Sequence, residues 1–195
     1  MVAFLRLSIW GLLFTLITGY LMGSIPSGIL FARMFGLPDP REHGSTHTGA
    51  TNVMRQGNLL AGLLTGLLDL IKGILAIWLV QQIFPSPWVI PLAGTAALIG
   101  HCWPIFADFR GGMGIATTAG LALVYFPVVI PIFAILYFAV NYLMRHQART
   151  IMVIAAFLPL MLIPFRYPPE KVVLASGLAI VLVIRWAHDF YRIYD

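Results

Sequence analysis

At 195 residues, 60% hydrophobic and 10% charged, the chain carries more apolar surface than one soluble core of its size can bury. Mean hydropathy is +0.91. The net charge of +5 comes from basic residues scattered singly among apolar runs, which fits membrane topology and not a nucleic-acid-binding stripe, and the single Cys102 excludes an internal disulfide and a paired-thiolate metal site.

With the bilayer as solvent, every backbone polar group needs an internal partner, so the options are a helical bundle or a closed barrel. The apolar runs are long and do not alternate, which predicts helices. The first run covers residues 5–24. Arg6 makes a weak basic n-region and Gly23-Ser24-Ile25-Pro26 a poor cleavage site, so this run is expected to stay in the protein. A polar stretch, 33–58, follows. The second run is 59–84, closed by Pro85-Ser86-Pro87, and the third is 88–99. Residues 115–143 would make a helix of roughly 43 Å, too long for one crossing and short for two. Pro127 and Pro131 break it near the middle. The last two runs are 150–164 and 172–186.

Splitting 115–143 near Phe126-Pro127 puts Arg33, Arg41, Arg55, Arg110, Arg145, Arg149, Arg185 and Arg192 on one side, against Arg6, Arg166 and Lys171 on the other. That asymmetry satisfies the positive-inside rule. The expectation is an all-α integral membrane protein of about seven transmembrane helices, some short. Its N-terminus is outside, its C-terminus cytoplasmic, and residues 1–195 form a single domain.

Three stretches carry possible chemistry. In the second run, Gly62, Gly66, Asp69 and Gly73 recur at spacings that share one helix face, where small residues allow close helix approach. Asp69 and Lys72 stand three apart and can pair, either to lock packing or to wall a polar site. In the polar stretch, Ser45, Thr51, Asn52, Arg41 and Arg55 lie among glycines and hydroxyls. Arginine forks and exposed backbone N–H groups suit phosphate, although a plain solvated loop has similar composition. His43 and His47 are four apart with no third ligand, so no metal is expected. The third stretch, 101–117, holds Arg110-Gly111-Gly112-Met113-Gly114 before a helix expected to begin near Ile115. Glycines let backbone curl around a phosphate at a helix N-terminus. His101 is a candidate general base, but a lone histidine is more often a hydrogen-bonded structural group.

The ordered set GSIPSG (23–28), DPREHGSTHTGATNVMR (39–55), DLIKG (69–73) and GHCWPIFADFRGGMGIAT (100–117) resembles the bacterial acyl-phosphate:glycerol-3-phosphate acyltransferases. The resemblance implies a seven-helix enzyme of the bacterial plasma membrane with a cytoplasmic active site. Such an enzyme moves an acyl group from acyl phosphate to the 1-hydroxyl of glycerol 3-phosphate, making lysophosphatidic acid, without cofactor or metal. Matched motif by motif, Ser45, Thr51, Asn52 and Arg55 would contact glycerol 3-phosphate. Arg110, Gly111, Gly112, Gly114 and Thr117 would hold acyl phosphate. Ser24, Arg41, Asp69, Lys72 and Asp189 would support them, and no catalytic nucleophile or base is implied.

The sequence departs from the family pattern in places. Met113 stands where the pattern has lysine, Thr46 and His47 where it has glycine and asparagine, and Trp186 and Asp189 where it has histidine and asparagine. A serine of the pattern has Thr150 as its nearest counterpart. Arg110 or Arg149 is the candidate to replace the missing lysine. The departures motivate an alternative: a relative that binds acyl phosphate or a lipid-synthesis partner without turnover, or that uses another acceptor. The Asp69–Lys72 pair alone would also fit a small transporter, though no repeat supports one.

Overall fold

The computed structural model describes residues 8–192. Arg6 lies outside them. Nine α-helices occur among the described residues: α1 (Ile9–Gly23), α2 (Ser27–Met34), α3 (Ala50–Arg55), α4 (Leu59–Ile83), α5 (Val89–Cys102), α6 (Ile115–Tyr125), α7 (Val129–Met144), α8 (Gln147–Phe157) and α9 (Pro169–Ala187). Seven of them, all but α2 and α3, correspond to the seven apolar runs. The division of 115–143 falls at Phe126-Pro127-Val128, as Pro127 predicts, whereas Pro131 sits in the first turn of α7, where no intrahelical N–H bond is lost, and does not break it. The structure adds α2, which resumes beyond Pro26, and α3, inside the stretch expected to be loop.

Local chemistry sets the helix starts. The Ser8 hydroxyl accepts the Gly11 N–H at 3.2 Å, and the Asn58 side chain accepts the Ala61 N–H at 2.9 Å. Each satisfies a donor that the first helical turn cannot.

Among the described residues, the segments long and apolar enough to cross a membrane are Ile9–Met34, Leu59–Ile83 and Val89–Ala107. α6 and α8, at 11 residues each, rise only about 17 Å, roughly half the hydrocarbon thickness. Trp10, Ile17, Leu63, Trp78, Phe138 and Ile180 are among many large apolar side chains turned outward, as lipid-facing surfaces require.

Glycine sets the helix spacing. A Cβ at Gly23 of α1 would meet the Ala97 carbonyl of α5, and one at Gly120 of α6 would meet the Leu70 carbonyl of α4. The glycine face expected on α4 is used as predicted. Gly62 abuts Met54 of α3, and Gly73 lies against Thr117 and Leu121 of α6. α5 sits between α1, α4 and α9. Leu98, Leu121, Phe126, Leu174, Leu178 and Leu182 fill the core beside it. Two segments cross this frame near one end of the bundle, the 35–49 loop and the glycine loop before α6.

Candidate active site

Between the two loops and the helices beside them lies a polar cavity of about 250 Å³. Ser45, His47, Gly49, Ala50, Thr51, Asn52 and Arg55 line one side, Met113, Gly114, Ile115 and Ala116 another, and Asp69, His101, Gln147 and Trp186 the remainder. Arg55 is the only lysine or arginine in that lining. α6 begins at Ile115 with Gly114 as N-cap, so its N-terminus opens onto the cavity. Gly114 has φ +86°, a conformation that favours glycine. Beside the cavity runs an apolar groove of about 380 Å³, bounded by Ala122, Phe133, Tyr137, Leu158 and Leu182. Ile115 and Gln147 line both spaces, so they adjoin.

Below the cavity floor lies a buried ion pair. Lys72 Nζ is 2.8 Å from Asp69 Oδ1 and donates to the Ile25 carbonyl at 3.1 Å. The Ser27 hydroxyl donates to the same carboxylate oxygen, and His101 Nδ1 lies 3.3 Å from it. The pair ties α4 to the turn before α2, and Asp69 also lines the cavity.

The remaining expected residues divide by position. Asn52 is 3% exposed and acts as a loop organiser. Its amide donates to the carbonyls of Pro40, His43 and His47 at 2.8–3.0 Å, and its oxygen accepts the Ser45 N–H at 3.1 Å. Thr117 is buried behind the cavity, donating to the Asp69 carbonyl at 2.9 Å. Ser24 donates to the Tyr20 carbonyl at 2.7 Å at the end of α1 and does not line the cavity; Ser27 makes the contact with Asp69 instead. Arg41 pairs with Asp39 at 2.8 Å and Asp108 at 3.0 Å, and its hydrogen bonds hold the Asp39 carboxyl below the ordinary range. Arg41 thus braces the loops against each other.

Neither candidate for the missing lysine's place occupies it. Arg110 turns to Glu42 at 2.9 Å and to the Arg41 carbonyl at 2.5 Å, outside the cavity lining. Arg149 donates to the Phe190 carbonyl at 3.3 Å and lies over the Phe190 ring. Thr150 is buried with its hydroxyl 3.3 Å from Asn141 Oδ1, while Gln147 on the same helix lines the cavity.

Four departures from the family pattern meet in pairs. His47 Nε2 lies 2.9 Å from Asp189 Oδ2, and the Trp186 indole N–H donates to the Met113 carbonyl at 3.0 Å. Arg185, absent from the expected site, reaches His47 Nδ1 at 3.3 Å. Arg192 Nη1 lies 3.5 Å from Nε2, so the ring stands between two guanidinium groups and the Asp189 carboxylate. Burial holds His47 below its ordinary pKa, with the Asp189 bond opposing and the Arg185 charge adding to that shift. A neutral ring agrees with this geometry. Sequence reasoning missed Arg185 and could not join His47 to Asp189, because the partners lie more than a hundred positions apart.

Thr46, in place of the pattern's glycine, has φ +62°. A β-branched residue is strained there. Thr46→Gly should stabilise the protein by about 1 kcal/mol, read as a raised unfolding midpoint in detergent; a lowered midpoint would contradict this strain.

The fold is a helical membrane bundle in which a small polar cavity opens to an apolar groove. The family model for glycerol-3-phosphate acyltransferase matches residues 13–195, and the chain belongs to that family. A glycerol-3-phosphate acyltransferase of Allorhizobium ampelinum is 38% identical over 179 residues, covering 90% of this chain and 85% of that protein. One from Jannaschia sp. is 40% identical over 181 residues, covering 92% and 87%. The crystal structure of PlsY (YgiH), an integral membrane glycerol 3-phosphate acyltransferase, in its glycerol 3-phosphate form, superimposes with TM-score 0.77 at 30% identity, covering 93% of this chain and 90% of that one.

Proposed function

We propose that this protein transfers a fatty acyl group from acyl phosphate to the 1-hydroxyl of glycerol 3-phosphate, releasing lysophosphatidic acid and inorganic phosphate. The observation that carries the reading is the junction of the polar cavity with the apolar groove at Ile115 and Gln147. A head group and an acyl chain can meet there without either leaving its preferred solvent.

Acyl phosphate is already activated, so the protein need not supply a nucleophile. The acceptor hydroxyl oxygen bonds to the carbonyl carbon, the carbonyl carbon–phosphate oxygen bond breaks, and the hydroxyl proton leaves on the departing phosphate. The site's work is alignment and charge stabilisation. The glycine loop and the α6 N-terminus face the donor phosphate. Arg55, Ser45 and Thr51 face the acceptor, with Asn52 holding their loop in shape. The donor's chain lies in the groove among Phe133, Tyr137 and Leu182.

Residues 1–195 act as one domain in the bacterial inner membrane, with the N-terminus outside and the cavity facing the cytoplasm. The arginine asymmetry supports this orientation: Arg41, Arg55, Arg110, Arg149, Arg185 and Arg192 belong to the loops and helix ends around the cavity.

Arg55→Ala tests the acceptor assignment. Loss of the cavity's one arginine should lower kcat/KM for glycerol 3-phosphate about a hundredfold, mostly through KM. An unchanged KM for glycerol 3-phosphate would place the acceptor elsewhere.

A further inference from the structure

Three successive carbonyls of the glycine loop are held by two adjacent side chains of α9. Arg185 Nη2 donates to Gly111 O at 3.0 Å and Arg185 Nε donates to Gly112 O at 3.0 Å. Trp186 Nε1 donates to Met113 O at 3.0 Å. In a trans peptide the N–H points opposite to the preceding carbonyl. The N–H groups of Gly112, Met113 and Gly114 are therefore turned away from their α9 donors. That of Gly112 goes to the His101 carbonyl at 3.1 Å. Met113 and Gly114 are the two loop residues that line the polar cavity.

We propose that Arg185 and Trp186 are positioning residues of the acyl-phosphate site: by gripping the loop's carbonyls they aim the Met113 and Gly114 N–H groups at the donor's phosphate. The inference rests on the reading above that this loop receives that phosphate. It assigns Trp186 a task, and it explains how a loop with methionine in its middle still presents positive potential to an anion. Backbone N–H groups, fixed before the ligand arrives, supply it.

The grip is itself oriented. Arg185 is 5.8 Å from the Trp103 ring centroid and bonded to His47, which Asp189 holds from the far side. Arg192 lies 3.8 Å from the Asp189 carboxylate. A planar fork can serve two neighbouring carbonyls at once, whereas a lysine ammonium has no such rigid geometry. Trp186 is 2% exposed, so its ring stays where packing puts it.

The test uses the full-length protein in detergent or lipid with Arg185→Lys, Trp186→Phe and Gly114→Ala side by side. Trp186→Phe keeps an aromatic ring and deletes the N–H donor together with part of the ring volume, so its unfolding midpoint is read beside its KM. Arg185→Lys and Trp186→Phe should each raise KM for acyl phosphate about three- to tenfold, the range for one oriented hydrogen bond, with KM for glycerol 3-phosphate unchanged. A merely structural role would lower the unfolding midpoint or kcat and leave the acyl-phosphate KM in place, which would overturn the proposal. Gly114→Ala probes the loop directly. If it raises that KM while the two α9 variants do not, the loop still binds phosphate and the α9 assignment falls. If none of the three moves it, the phosphate reading falls and takes the proposal with it. A second measurement needs no variant: in protein carrying isotopically labelled methionine, a non-hydrolysable acyl phosphonate should shift the Met113 amide resonance. A resonance that stays put at saturation overturns the proposal.

Discussion

Lys72→Met should destabilise the protein by about 3–5 kcal/mol, the cost of stranding one partner of a buried ion pair. The Lys72 and Asp69 side chains are 3% and 2% exposed. Without the ammonium, the Asp69 carboxylate keeps only the Ser27 hydroxyl and the nearby His101 ring. Its one opening is the polar cavity, and a carboxylate almost wholly buried there is solvated far less than in bulk water. The loss is a large share of the ~5–15 kcal/mol by which proteins are usually stable. Asp69→Asn added to Lys72→Met removes the stranded charge, so the double variant should be more stable than Lys72→Met alone. Thermal unfolding in one detergent measures all members of the cycle. A Lys72→Met protein within about 1 kcal/mol of the parent would mean that the pair carries no such burden.

Gly111→Ala should lower kcat/KM by about a hundred- to a thousandfold, the range for displacing a preorganised donor loop. A Cβ there would meet the carbonyl oxygens of His101 and Cys102, the latter at 2.6 Å. Both belong to the end of α5, itself packed in the core, so neither can swing aside as a side-chain tip would. The loop would have to lift, disturbing the Arg185 contacts and the Gly112 N–H bond to His101. The measurement is a steady-state assay paired with an unfolding curve, so that a folded but inactive protein is recognised. Near-parental activity would show that the loop's approach to α5 is not needed for catalysis.

Most of the helical frame was legible because hydrophobic run length and proline position are local signals. Pro127 alone divides α6 from α7, and the glycine spacing on α4 marks the face that meets α3 and α6. α3 was not legible: its six residues are too few for a periodic pattern to stand out. The cavity was legible in part. Ser45, Thr51, Asn52, Arg55, Asp69 and Gly114 all line it, because motif-bearing loops and one helix face converge there.

The sequence could not show which way side chains turn. Arg110 sits next to the glycine loop, yet its guanidinium goes to Glu42. Asn52 looks like a ligand but spends both amide hydrogens on its own loop. His47 and Asp189 each look like an isolated departure until the fold brings them to 2.9 Å. Trp186 likewise looks isolated until its indole N–H is seen to hold the backbone carbonyl of residue 113.

The central claim is that backbone N–H groups and Arg55 suffice for acyl transfer in a loop that has methionine where its relatives' pattern has lysine. The most direct measurement incubates the purified, unaltered protein in lipid with palmitoyl phosphate and labelled glycerol 3-phosphate. Labelled lysophosphatidic acid should form without any change at position 113. Product that appears only in Met113→Lys, or in neither protein, would contradict the claim.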